Sequence, residues 1–333
     1  MDQSIQIKIY VITFRRVLLL ERALKSLIAQ SYSNWIAEVL NDDPADHAVA
    51  ELITNLNDPR IQLSSPAIKR GGTQNFNYAF LDQKNPYATI LEDDNWFEPT
   101  YLEVMLKALI DKPSYQVAVG NQNIWIENKD QTWTNTHRTV WPSLTGYDVY
   151  SFNLIDKCGS AKICNSSLFW NTKYAKNWLT PNDIPIDVTE HYRERVLPHP
   201  ILLINNPLSN YSQTLISNRK TNYTWGIYQT ILIASVFATL NDYEAHDLAK
   251  KLWNIARNNN RPLSTSLLHC GLYDQKSRIL VKMASPQELI RYLFTWIKNP
   301  IQCYKIISSK PIYHQHLAFL TSNLIKESNI LNN

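Results

Sequence analysis

The stretch YATILEDDNWFEPTYLE, residues 87–103, decides how this chain is read. Tyr87 to Leu91 is a short apolar run of strand length that stops abruptly at Glu92, Asp93, Asp94 and Asn95. After Trp96, Phe97 and Pro99 a helical pattern begins, with Leu102, Met105, Leu106, Leu109 and Ile110 on one face and Pro99 near its start. A buried strand that ends in acids and hands over to a helix is the pattern of a parallel α/β sheet, whose ligands gather at the carboxyl ends of the strands.

The same alternation extends outward. Upstream, Ile5 to Thr13 reads as a strand, and Leu20, Ala23, Leu24, Leu27 and Ile28 recur at helical spacing. A second strand covers about Trp35 to Leu40, then a helix about Pro44 to Leu56, a third strand Ile61 to Ser64 and a helix Thr73 to Leu81. Downstream, Tyr115 to Trp125 reads as a fifth strand, 127–160 as loops with short strands, and Ile163 to Trp170 and Ile201 to Asn205 as further strands. The expected fold class is α/β, a Rossmann-like, mostly parallel sheet with helices on both faces and right-handed crossovers. Three polar clusters then share one rim: Thr13 to Arg16, Asn41 to Asp43, and Glu92 to Asn95.

From about Thr221 the pattern turns helical, with segments Thr224 to Leu240, Glu244 to Asn258 and Pro286 to Trp296. The expected organisation is a sheet-bearing domain over 1–215, itself divided into 1–125 and 126–215, and a C-terminal helical subdomain over 216–333. No charge occurs between Lys220 and Asp242, yet Thr, Asn, Gln and Ser interrupt that stretch, leaving fewer strongly apolar residues than the roughly 20 a membrane span requires. It reads as a buried helix. The segment LIRYLFTWIK, residues 289–298, is basic, aromatic and amphipathic; packing on the domain is the favoured reading, and peripheral attachment to a membrane surface stays open.

Composition excludes several function classes. Only seven glycines occur, with no G-x-G-x-x-G and no G-x-x-x-x-G-K-[ST], which argues against dinucleotide-binding and Walker-type phosphate sites. A net charge of +4 with scattered Lys and Arg makes nucleic acid an unexpected partner. Cys158, Cys164, Cys270 and Cys303 match neither a zinc site nor a disulfide framework and read as reduced thiols. The N-terminal residues lack a secretory signal pattern, so the expected compartment is the cytoplasm, with the inner face of the membrane as the alternative. Oligomeric state is not legible.

Four ordered motifs carry a family resemblance. ILEDDNWFEPTYLE (90–103) resembles the metal-binding signature of glycosyltransferase family 2, whose fold is GT-A. VITFRRVLLLERALKSLIAQSY (11–32) is similar to the family's opening strand and helix, EVLNDDPADH (38–47) to its second strand with acidic end, and GGTQNFNYAF (71–80) to its Gly-x4-Asn segment. The resemblance implies an inverting transferase using a UDP- or dTDP-linked sugar, with Mn2+ or Mg2+ held chiefly by Asp94, helped by Asp93. It implies that 1–125 binds the nucleotide sugar and 126–215 the acceptor. Carried over by position, Thr13 and Arg15 line the nucleoside pocket, Asp42 or Asp43 accepts from base or ribose, Arg70, Gly72 and Asn77 lie beside base or diphosphate, and Asp93 is partly directed at ribose. For each, a turn or helix cap is the bland alternative.

An inverting transfer also needs a base for the acceptor hydroxyl. The family's Glu-Asp motif is matched by DVTEHYRER (187–195), where histidine replaces the usual aspartate; His191, Glu190 and Asp187 are the candidates. Two departures stand out: Pro44-Ala45 replaces the usual Gly-Ser, and Asn210 to Gln213 offers no third histidine ligand. The acceptor is saccharide, lipid-linked or protein, and Trp125, Trp133 and Trp141 are either a stacking platform for it or core. The competing readings are a catalytically silent nucleotide- or carbohydrate-binding protein and a nucleotidyltransferase on a related fold.

Overall fold

The computed structural model describes residues 3–64, 66–81, 84–142, 146–159, 162–215, 223–259, 261–308 and 314–323. The chain divides into two compact units, one formed by 1–151 and 162–218 and the other by 152–161 and 219–333. The boundary expected after residue 215 borders 216–222, which lie outside the described residues.

The element order is β1 (Ile7–Thr13), α1 (Val17–Ile28), β2 (Trp35–Asn41), α2 (Ala48–Leu56), β3 (Ile61–Ser64), α3 (Gly72–Tyr78), β4 (Tyr87–Glu92), β5 (Trp96–Phe97), α4 (Tyr101–Asp111), β6 (Val117–Glu127), β7 (Trp133–Thr139), β8 (Tyr147–Tyr150), α5 (Leu154–Lys157), β9 (Leu168–Asn171), α6 (Thr189–Val196) and β10 (Ile201–Gln213). Helices follow: α7 (Tyr223–Phe237), α8 (Asp242–Asn259), α9 (Arg261–Tyr273), α10 (Ile279–Lys282), α11 (Pro286–Lys298) and α12 (Pro300–Ser308).

In the first unit the sheet runs β3-β2-β1-β4-β9-β6-β10-β5, with β7 added on β6 and β8 on β10. All seven residues of β1 are buried, as expected of a parallel strand covered on both faces. It pairs in parallel with β2 and β4, and the register sets Thr13 opposite Asn41 and Ile12 opposite Glu92. That register brings the three polar clusters to one edge. One face is covered by α1 and α4, whose Leu20, Leu24, Leu27, Leu102, Met105 and Leu106 join Val11, Val39 and Phe169 in a single core. Successive strand residues point to opposite faces, so Trp170 lies across the sheet from Phe169, and Phe80 stacks on it at 4.6 Å.

Beyond β4 the sheet is mixed rather than parallel. β9 lies antiparallel between β4 and β6, and the two-residue β5 pairs antiparallel with β10, although β10 and β6 run parallel. The second helix starts at Ala48 rather than Pro44, because Asp43 first accepts from Ala45 N–H through its carboxylate and from Asp46 N–H through its carbonyl, closing a turn.

In the second unit α7 is buried all round, with Ile231, Leu232, Ile233, Ala234, Val236 and Phe237 at most 1% exposed, so the uncharged stretch is a core helix. Helix α9, which the sequence reading did not mark, packs on it. Among the described residues no helix is long and apolar enough to cross a membrane.

Candidate active site

The carboxyl edge of β1, β2 and β4 is held together by charge. Asp93 is almost fully buried; its Oδ2 accepts from the Thr13 hydroxyl at 2.9 Å and from the Phe14 amide at 3.3 Å. Its neighbour Asp94 is more exposed. The guanidinium of Arg16 spans both, with one nitrogen 2.8 Å from Asp93 Oδ1 and another 2.7 Å from Asp94 Oδ2. Burial raises Asp93 to about 6, against the opposing pull of Arg16 and Thr13. Burial works against the charge on Arg16 too, but Asp93 and Asp94 outweigh it and raise its pKa. Two carboxylates from adjacent residues converging on one cation form the hard oxygen donor set that Mg2+ or Mn2+ takes, so the residues present fit such an ion.

The backbone of Asp94 is fixed from the other side. Its carbonyl accepts from Arg22 at 2.6 Å and from the Ser212 hydroxyl, while Ser212 N–H donates to Asn95 Oδ1 at 2.9 Å. Arg22 lies between Trp96 and Trp133, 3.9 and 4.1 Å from their ring centroids, and Trp125 packs against Trp96 at 5.3 Å. Trp125 and Trp133 thus sit together beside the acids. Trp141 does not: its indole N–H donates to Asn205 Oδ1 at 3.1 Å in a separate polar contact.

Glu92 points to the opposite face from Asp93, as strand alternation requires. Ser166 donates its hydroxyl to Glu92 Oε2 at 2.8 Å and accepts from Glu92 N–H and from Asn95 Nδ2. Burial, then the charges of Asp94 and Glu190, raise Glu92 well above the usual carboxylate range. Glu92, Cys164 and Glu190 bring ligand atoms within 4.8 Å of one another. Of the three base candidates, then, the structure sets Glu190 beside the acidic end of β4. His191 is pushed down to about 4, first by burial and then by Arg195, and Asp187 is exposed in the turn that opens α6.

The remaining expected residues fall into two groups. Arg15, at a left-handed φ of 59°, pairs with Asp43, and this hydrogen bond holds the Asp43 carboxyl below its usual range. Asp42 receives the amides of Arg70 at 2.9 Å and Gly71 at 3.0 Å, fixing the entry to α3, where the Arg70 guanidinium lies over Tyr78. Gly72 is pressed against Ile186: a Cβ there would meet Ile186 Cδ1 at 3.0 Å. Asn77, in contrast, spends its side chain on packing. It donates to Thr180 O and Asn182 Oδ1, and accepts from Thr180 N–H, Thr180 Oγ1 and the fully buried Arg193. The sequence reading had not singled out the roles of Arg16, Arg22 or Ser166. Only the adjacency of Arg16 to Arg15 signalled any of them; Ser166 and Ser212 reach the site from distant segments.

Comparison with known proteins agrees with this geometry. The profile of the family described as Glycosyl transferase family 2 matches residues 8–172. A protein of Escherichia coli (strain K12), WcaA, whose name assigns it to colanic acid biosynthesis as a glycosyl transferase, is 35% identical over 101 residues, which is 30% of this chain and 36% of that protein. The chain therefore matches about a third of that relative's length. Among solved structures, S. aureus TarS residues 1–349 in complex with UDP superposes with TM-score 0.53 at 12% identity, covering 99% of this chain and 92% of that one. The TarS complex with UDP-GlcNAc gives TM-score 0.54 at 11% identity over 96% and 89%. These establish the GT-A fold.

Proposed function

For a chain that belongs, through residues 8–172, to glycosyl transferase family 2, we propose transfer of a sugar from a UDP- or dTDP-linked donor to a saccharide-type acceptor with inversion at the anomeric carbon. The observation that carries this reading is the convergence of the Asp93 and Asp94 carboxylates, both paired with the Arg16 guanidinium, at the carboxyl end of β4, on the rim that also holds Thr13 and Asp43. The UDP and UDP-GlcNAc bound by the TarS fold relative support the choice of donor class.

In this reading Thr13, Arg15 and Asp43 contact the nucleoside, and the 70–72 turn held by Asp42 lies along the base and diphosphate. Asp94, with Asp93, would hold Mn2+ or Mg2+, which supplies charge neutralisation for the departing diphosphate. The acceptor oxygen attacks the anomeric carbon as the bond to phosphate oxygen breaks, and Glu190 takes the hydroxyl proton. Glu190 is preferred because it stands beside Glu92 at the end of β4, whereas burial makes His191 a weak base. Trp96, Trp125 and Trp133 offer ring faces on which a sugar acceptor could stack.

Thermal-shift titration with UDP tests the donor and metal assignments together. UDP with Mn2+ is expected to raise the melting temperature, since ligand at about 100 times Kd stabilises by about 2.7 kcal/mol. Asp94→Asn is expected to abolish the Mn2+-dependent part. Identical UDP responses with and without Mn2+ in both proteins would remove the metal site from the proposal, and no response to UDP or dTDP would remove the donor.

A further inference from the structure

Helix α11 is built inside out. At the angular spacing of an α-helix its residues divide into two opposite faces. The face packed on its own unit carries Glu288 and Tyr292, which are 9% and 7% exposed. Glu288 caps the helix reciprocally with Ser285 and takes two hydrogen bonds from Arg257, at 2.8 and 3.1 Å. The Tyr292 hydroxyl meets His269 Nδ1 at 2.7 Å. These three anchors fix the rotation of the helix. They leave Ile290, Leu293, Phe294 and Ile297 outward, 53–73% exposed, and the apolar surface continues onto α12 through Ile301 at 69% and Tyr304 at 67%. A contiguous apolar patch of this kind on a soluble surface marks an interaction site.

Charge identifies the partner. From Lys276 to Lys305 the chain carries Lys276, Arg278, Lys282, Arg291, Lys298 and Lys305 against one acid, Glu288, which is already spent on Arg257. By helical angle Arg291 and Lys298 border the apolar arc next to Phe294, and the half-buried Trp296 borders its other edge. Apolar arc, basic border and a tryptophan at the rim are the composition of a helix lying in a membrane interface. At 13 residues α11 is too short to span a bilayer. We propose that α11 and α12 form a monotopic anchor that inserts this face into the headgroup boundary of an anionic lipid bilayer. This goes beyond the transferase reading and does not depend on it.

The test is co-sedimentation of the full chain with phosphatidylcholine vesicles and with vesicles containing about 30% phosphatidylglycerol. The anionic vesicles are expected to bind the protein at least about tenfold more tightly, and about 1 M salt, where the Debye length is about 3 Å, to weaken that preference. Leu293→Glu combined with Ile297→Glu is expected to lower binding at least about tenfold with unchanged circular dichroism, since both side chains are exposed. Lys298→Glu combined with Lys305→Glu is expected to remove the anionic preference. Absence of binding by the wild type, or equal binding by the Leu293/Ile297 variant, overturns the proposal. So does a wild-type dimer that this variant dissolves without any vesicle binding, which would give the face to a second copy of the chain.

Discussion

Replacing Asn77 with alanine is expected to unfold the first unit more readily while leaving nucleotide affinity nearly intact. The side chain is a hub with five hydrogen-bond contacts, to Thr180, Asn182 and Arg193. Asn182 is exposed and can turn to water, but Thr180 is 4% exposed and Arg193 fully buried. Truncation strands the Thr180 amide and one arm of a buried guanidinium. At about 1–3 kcal/mol for each unsatisfied group, with the charged one at the upper end, the loss is about 3–5 kcal/mol. For a unit of this size that corresponds to a fall in melting temperature of roughly 8–15 °C. Thermal melts monitored by tryptophan fluorescence measure the first quantity, and UDP titration below the lowered melting temperature measures the second, with Kd expected to change by less than about threefold. A shift below about 3 °C together with a tenfold loss of UDP affinity would refute the reasoning and return Asn77 to the ligand.

Glu190→Gln is expected to lower turnover by about 10²–10⁴-fold with little change in donor KM, and His191→Asn to lower it far less; the reverse order would transfer the base to His191. Arg22→Ala removes two aromatic contacts and the support of the Asp94 carbonyl, for an expected loss of about 1–2 kcal/mol and a weaker Mn2+ response, read by thermal shift. In the second unit burial lowers His269 to about 4, whereas the unfolded imidazole titrates near 6.5. The unfolded chain therefore binds the extra proton between those values, so stability is complete above about pH 6.5 and declines as pH falls toward about 4. Urea melts of His269→Phe should show a flatter acid limb than the wild type. Gly271→Ala should destabilise by about 1–3 kcal/mol in the same assay, because a Cβ would meet Val281 Cγ2 at 2.7 Å and Ser277 O at 3.1 Å.

The parallel half of the sheet was legible because its strands are continuous apolar runs ending in polar residues, and local pattern suffices for that. The tip of β4 was legible for the same reason. The antiparallel insertion of β9 was not, since nothing in Leu168–Asn171 states its direction; pairing with β4 and β6 does. The buried Phe152 and Cys158 cluster with the helical unit although they precede β9, a placement no local pattern encodes. Asn77 shows the limit at the level of one side chain. Its position in the Gly-x4-Asn segment pointed to ligand, but partners about a hundred residues away claim its polar atoms. Arg16 was hidden differently: a second arginine beside Arg15 looks redundant until the backbone turns at Arg15, whose left-handed φ sends the two guanidinium groups to different carboxylates.

The guanidinium bridging Asp93 and Asp94 changes what it means to load this rim. On the proposed reading, a divalent ion at the tip of β4 would have to displace Arg16 from both carboxylates, so its binding would be an exchange of one counterion for another and its affinity the difference between two cations' hold on the same oxygens. With Arg16 in place the two acids rest with an internal tenant that offsets part of their mutual repulsion.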